Sequence, residues 1–490
     1  MTVANSQEQP TELRANAIGL PGVLFQSVTT MAPAGAVAFS LGAGLPFAGG
    51  ALPLAVLIAL VACVLVALNI GSLARHLPSA GGYFTYVTRG LGPQAGWLVG
   101  WLFLFTYLLF MPLTLLVLGS VTDSFLSSTF NFSLGADGWI VYAIAWAIIS
   151  FLLTFFGVKI SADVGVVLGA IEIAVFGILS IFLIVAAGKG NTFAAFNPAS
   201  SLQQGLGGWQ GVLFGMLFAF LAFSGFESSA IFGEESHNPR RTVPRAILLA
   251  TISIGVFYVF CSYAAVVGWG FTKLSSYGSD PNPWGTMATR VWGPVAFIAI
   301  LAILNSALGN ANAAINAGAR ELFAMGRIRA LPGLFGQTNR YRAPGRAIIL
   351  VVALGAIITV VIGLIYGPTL GFAFIGAVLT VPILLVYMAT CLAVPFFYLR
   401  EHRGEFNVLR HIILPVIPIL LLAVVIFFQF SPLPAAPFIL VGPIDAIWIV
   451  LGIIIVLVLG ARAPHILSRG TKLFATGEEL EEAPGQAEPV

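Results

Sequence analysis

The chain has 490 residues, 59% of them hydrophobic and only 8% charged, with a mean hydropathy of +0.99. No soluble domain of this length has that composition, and the class it leaves is a polytopic membrane protein. The net charge of +3 offers no electrostatic footprint for a nucleic-acid partner, and the position of each charge is more informative than the total.

Residues 1–16 are polar and read as a short cytoplasmic tail, with no cleavable signal peptide. A membrane crossing needs about 20 apolar residues. On that measure the spans fall at 17–47, 52–75, 93–121, 138–156, 161–187, 209–233, 244–270, 294–320, 346–366, 369–397, 410–430 and 440–461. The chain then divides into a first unit of five spans (17–187), a second of five (209–397), a closing pair (410–461) and a tail (462–490). That tail ends EELEEAPGQAEPV and has the composition of a disordered segment. With the N-terminus cytoplasmic, 19 basic residues lie inside and three outside (Lys189, Lys273 and Arg290). That asymmetry supports an even number of spans with both termini inside.

Two spans carry helix breakers at their centres. In span 1 the run Ala32-Pro33-Ala34-Gly35-Ala36 places a proline and a glycine mid-membrane, and in span 6 Ser224-Gly225 does the same. Proline removes a backbone donor and glycine loosens the helix. Interrupted spans at corresponding positions of two halves point to a transporter binding site. Because each half holds five spans, the second enters the membrane inverted.

Two of the acids inside apolar runs are candidates for chemistry. Glu172 sits mid-span 5 in GAIEIAVF, with no basic residue near it in sequence. An ionised carboxylate at the bilayer centre costs about 2.5–3.5 kcal/mol on insertion scales. Glu172 is therefore neutral, paired or facing water, and reads either as a proton carrier or cation ligand, or as a protonated acid bonded to a neighbouring helix. Glu227 lies just past the span 6 break and reads either as a substrate- or proton-handling group or as a cap on the second half-helix. Glu234 and Glu235 sit near the basic end and are read as partners of the arginines there. Span 8 is polar for a span, with Asn305, Ser306, Asn310, Asn312 and Asn316. Such groups serve as interhelical hydrogen-bonders or face a cation beside span 1. Gly96 and Gly100 form a G-x-x-x-G pair suited to close helix packing. Cys63, Cys261 and Cys391 lie in apolar runs and read as small buried hydrophobes.

An intramembrane enzyme is the main competing class. All five histidines (His76, His237, His402, His411 and His465) lie outside the membrane core, and no HExxH, CxxC or phosphate loop is present. No metal or cofactor is expected. A channel or receptor is a further alternative, against which the paired broken spans favour alternating access.

Four stretches, in order, carry a resemblance to a known family: LPSAGGYFTYVTRGLGPQAGWLVGW (77–101), GVKISADVG (157–165), FLAFSGFESSAIFGEESHNPRRTVPRAI (220–247), and ARELFAMGRIRALP (319–332). With them the chain resembles the amino acid–polyamine–organocation superfamily. The resemblance implies an all-α, twelve-span fold of LeuT type, a 5+5 inverted repeat with broken helices 1 and 6. Substrate would sit at the midplane between the breaks, walled by spans 3, 8 and 10. It also implies an aromatic closing over the substrate, for which Phe220, Phe223 and Phe226 are candidates with Phe223 foremost, joined by Tyr107 and Phe374. Glu172 falls where some proton-coupled relatives carry a lysine in place of a coupling sodium ion. One departure stands out: many amino-acid carriers have a G-x-G break in span 1, whose amides cradle the substrate carboxylate. Here Pro33 has no N–H, which leaves room for a decarboxylated amine.

The expected function is a proton-coupled permease for an amino acid or related amine in a plasma (inner) membrane. The same superfamily offers a polyamine or organic-cation carrier, an exchanger or a sodium-coupled carrier as alternatives. Its partners would be the small-molecule substrate, a co-transported proton and membrane lipid.

Overall fold

The computed structural model describes residues 19–77, 82–156, 162–232, 236–341, 343–463 and 467. Glu234, Glu235, the start of the 157–165 stretch and the two tails lie outside them. The described residues are helical almost throughout and contain no β-strand, as backbone groups in lipid require.

Ten helical stretches among the described residues are long and apolar enough to cross a membrane. Two of these, Leu20–Ala74 and Gly345–Glu401, run to 55 and 57 residues, well beyond one crossing. The second turns at Gly367 (φ 75°, ψ 162°), a conformation that glycine alone adopts freely. The first turns at Ala32 and at Gly49, both at positive φ. Gly49 and Gly367 fall at the predicted boundaries between spans 1 and 2 and between spans 9 and 10. Several helices start on proline at the first helical position, among them Pro93–Phe130 and Pro239–Trp269, where the missing N–H costs nothing.

The stretches of spans 3 and 6 lie at the centre, each with 72% of its apolar window buried. Span 12 lies at the periphery with 17% buried, and Val185 of span 5 and Ile447 and Leu457 of span 12 point outward, largely exposed. Those faces match lipid and not water. The glycine pair of span 3 marks close approach. A Cβ on Gly96 would lie 1.9 Å from Thr88 Oγ1, and one on Gly100 would lie 2.9 Å from Glu321 Oε1 in span 8. The three cysteines are free and buried. At the basic end, Arg89 makes a two-pronged ion pair with Glu401, holding the turn before span 3 to the end of span 10.

Candidate functional site at the two helix breaks

The helix Leu20–Thr30 stops at Met31, Ala32 turns left-handed (φ 48°, ψ 67°), and the helix restarts at Pro33. A non-glycine residue held there costs on the order of 1–3 kcal/mol, so neighbours must fix it. They do so on both sides of the break. The carbonyls that the break frees are met by side chains: Asn310 Nδ2 donates to Thr30 O at 3.2 Å and Tyr258 O–H to Met31 O at 2.8 Å. The new N-terminus exposes amides that lack a partner within the helix. Gly35 N–H donates to Ser306 Oγ at 3.0 Å, and Ala34 N–H points at Glu172 Oε2 from 3.5 Å. Asn305 Nδ2 donates to the other oxygen of Glu172. Glu172 of span 5 thus joins the start of the second half of span 1 to span 8.

Span 6 breaks where serine and glycine predict. Its helix Trp209–Phe223 gives way at Ser224 (ψ 125°) and Gly225 (φ 108°), and a short 3-10 turn follows at Ser228–Phe232. Gly225 N–H donates to Glu227 Oε2 at 3.1 Å, and Tyr387 O–H of span 10 donates to the same oxygen at 3.2 Å. The Tyr258 hydroxyl also lies 3.0 Å from Ala222 O, so one side chain of span 7 serves a carbonyl at each break. The breaks themselves touch. A Cβ on Gly225 would sit 2.7 Å from Thr30 Cγ2 and 3.0 Å from the Thr30 carbonyl carbon. Below them Ser27 O–H donates to Phe226 O and Ser229 O–H to Val23 O, both at 2.7 Å, drawing the first half of span 1 onto span 6.

Between the breaks lies a cavity of about 40 Å³, walled by spans 1, 3, 6, 8 and 10. Its polar groups are Ser40, Thr114, Ser224 and Asn310, its aromatic walls are Phe110 and Phe372, and among the described residues no charged side chain lines it. Both breaks border this space, and spans 3, 8 and 10 complete its walls.

The structure distributes the sequence-derived candidates as follows. Ala32, Gly35, Ala36 and Ser224 line the cavity. Pro33, Ala34 and Gly225 shape the breaks without lining it. Glu172 and Glu227 are buried, 5% and 4% exposed, and among the described residues neither forms an ion pair. Phe220, Phe223 and Phe226 are fully buried. Phe223 packs edge-on against Tyr258 at 5.3 Å, and Phe226 packs against Tyr387 at 5.3 Å. Span 6 gives Leu221 and Ser224 to the cavity instead. Tyr107 packs on Phe103, and Phe374 on Tyr366. Phe372, two residues before Phe374 and so on about the opposite side of its helix, and Phe110, nearly one turn after Tyr107, face the cavity instead. Asn305, Ser306 and Asn310 act as interhelical hydrogen-bonders. Tyr258, Ser27, Ser229 and Tyr387 carried no signal in the sequence: a lone hydroxyl in an apolar span reveals neither its direction nor its partner.

The chain matches the amino acid permease family over residues 18–460. It is 26% identical to the branched-chain amino acid permease of Lactococcus lactis subsp. cremoris, covering 73% of this chain and 76% of that protein. It is 27% identical to a probable GABA permease of Pseudomonas aeruginosa, with 78% and 80% covered. It is 25% identical to the low-affinity putrescine importer of Escherichia coli, with 62% and 66% covered.

Proposed function

The chain belongs to the amino acid permease family, and from that premise we propose that it carries an amino acid or related amine across the plasma membrane by alternating access, coupled to protons. It is a multi-pass membrane transporter and not an enzyme. In the proposed arrangement it crosses the membrane twelve times as a 5+5 inverted repeat with both termini cytoplasmic. The observation that carries the proposal is the meeting of two broken spans around a small, mainly apolar cavity with a few polar groups, and a buried acid bonded to each break.

The substrate ammonium would meet oxygen atoms at the span 6 break, where Ser224 faces the cavity. Glu172, as a carboxylate, accepts from Asn305 and faces the Ala34 amide, and so holds half of span 1 against spans 5 and 8. Protonation turns one accepting oxygen into a donor and loosens that tie. Glu227 joins span 6 to span 10 through Tyr387 in the same manner. Proton loading thereby couples to the separation of spans 1 and 6 from the spans around them.

One observation favours the amine over the α-amino acid. Pro33 has no N–H, and the next two amides are already directed at Glu172 and Ser306, so a substrate carboxylate finds no free donor at that helix N-terminus. The putrescine importer among the relatives is named for such a substrate. Thermal stabilisation of the purified protein tests the choice, because a ligand that binds the folded state raises Tm by mass action. The panel pairs amino acids with their decarboxylated amines, at two pH values, with and without sodium. Amines are expected to raise Tm and α-amino acids to leave it unmoved. The reverse pattern would show that the carboxylate is read despite Pro33.

A further inference from the structure

We propose that His76, His402 and Glu405 form a binding site for a divalent transition metal, of which zinc is the best match, at the end of the molecule opposite the outward loops. The site lies outside the transport cavity and joins two parts of the bundle that are far apart in sequence.

His76 stands just past the helix Leu52–Ala74 of span 2. His402 caps the long helix Gly345–Glu401 that ends span 10, and Glu405 follows one short turn later in Arg403–Glu405. That turn is fixed by Glu405 N–H donating to His402 O at 2.9 Å, which sets a His-x-x-Glu pair on one side of the chain. His76 Nε2 lies 3.4 Å from Glu405 Oε2, and His402 Nδ1 lies 3.7 Å from Glu405 Oε1. One ligand atom from each of the three residues falls within 4.8 Å of the other two. Zinc bonds of about 2.0–2.1 Å to nitrogen and oxygen in a tetrahedron place neighbouring ligand atoms roughly 3.4 Å apart. The 3.4 Å separation of His76 Nε2 from Glu405 Oε2 already matches, and His402 Nδ1 stands 3.7 Å from the other oxygen of the same carboxylate.

The donor set and its surroundings select the ion class. Two imidazoles and one carboxylate suit zinc, nickel or copper and are poor ligands for calcium or magnesium. Arg75 and Arg240 lie near enough to act on the charge of His76, which disfavours cations held by charge alone. Phe397 and Tyr398 pack against both histidines and limit ring rotation. Glu405 is 60% exposed at its side chain, so an ion enters from solvent and water completes the fourth position. Tyr398 O–H donates to Ser72 O of span 2 at 3.2 Å. A bound ion would therefore reinforce an existing contact between span 2 and the end of span 10 and restrain their relative motion.

The test uses untagged full-length protein in detergent. Cobalt(II) is titrated in while its visible absorption is followed, and zinc is then added to displace it. One cobalt site per chain is expected, bleached by zinc. Glu405→Gln and His402→Ala should each weaken binding by at least about tenfold, no less than loss of an outer-shell partner costs elsewhere. Both residues are partly or largely exposed, so folding is expected to survive, and an unchanged Tm without metal checks that. Zinc should also raise the wild-type Tm and leave that of Glu405→Gln unmoved. Absence of a cobalt site, or a site with the same affinity in both variants, would overturn the proposal.

Discussion

Replacing Gly225 by valine is expected to reduce uptake into proteoliposomes by at least about 100-fold. Two costs add at this position. The backbone sits at φ 108°, where a residue with a Cβ is strained by on the order of 1–3 kcal/mol. The new Cβ would also lie 2.7 Å from Thr30 Cγ2 and 3.0 Å from the Thr30 carbonyl carbon. The second atom belongs to backbone held by Asn310 and cannot step aside. The substitution therefore forces the two breaks apart, and each 1.4 kcal/mol is about tenfold in rate. Gly225→Ala carries one side-chain carbon in place of three and should fall between wild type and valine. Gly309, with nothing within 4 Å of its would-be Cβ, provides the control: Gly309→Ala should transport as wild type does. Normal uptake by Gly225→Val at matched protein levels would show that close contact between the breaks is not needed.

The second large effect concerns energy coupling. In the double variant Glu172→Gln, Glu227→Gln, the acceleration of uptake by an inward proton gradient should disappear, a loss of at least about tenfold at acid external pH. This follows because general proton carriage needs a group that changes protonation state, and an amide does not. The fold should tolerate both changes. The oxygen of a glutamine at 227 can still accept from both Gly225 N–H and Tyr387 O–H, and a flipped Asn305 can offer its oxygen to a glutamine at 172. Exchange of labelled for unlabelled substrate, which requires no net proton movement, should persist. If pH-driven uptake is unchanged in the double variant, protons are carried elsewhere or not at all.

Much of the site was legible because membrane helices tolerate few irregularities. Pro33, Gly35 and Ser224-Gly225 announced both breaks, and the carboxylate in the middle of span 5 stood out against an apolar run. The asparagines of span 8 marked a face that must meet other polar groups, and three of these polar residues now bond to span 1 or span 5. The direction of aromatic side chains was not legible. In a soluble helix, polar residues on one face reveal which side is buried, but span 6 is apolar all round. Nothing in FAFLAF says that Leu221 meets the cavity while Phe220 and Phe223 turn into the bundle. The same lack of phase hid that Phe372 and not Phe374 lines the cavity, and in span 3 the lining aromatic is Phe110, nearly one turn on from Tyr107. Tyr258 was hidden for a different reason. Its role depends on two carbonyls that only become free once the spans have broken.

The most direct test of the account is counterflow in proteoliposomes loaded with unlabelled substrate, with labelled amine or amino acid outside and no ion gradient. Alternating access through a site between two broken spans predicts transient accumulation of label above equilibrium, saturating with external concentration and lost in Gly225→Val. Flux that never overshoots and rises in proportion to concentration would describe an open pore, and the carrier reading would fall.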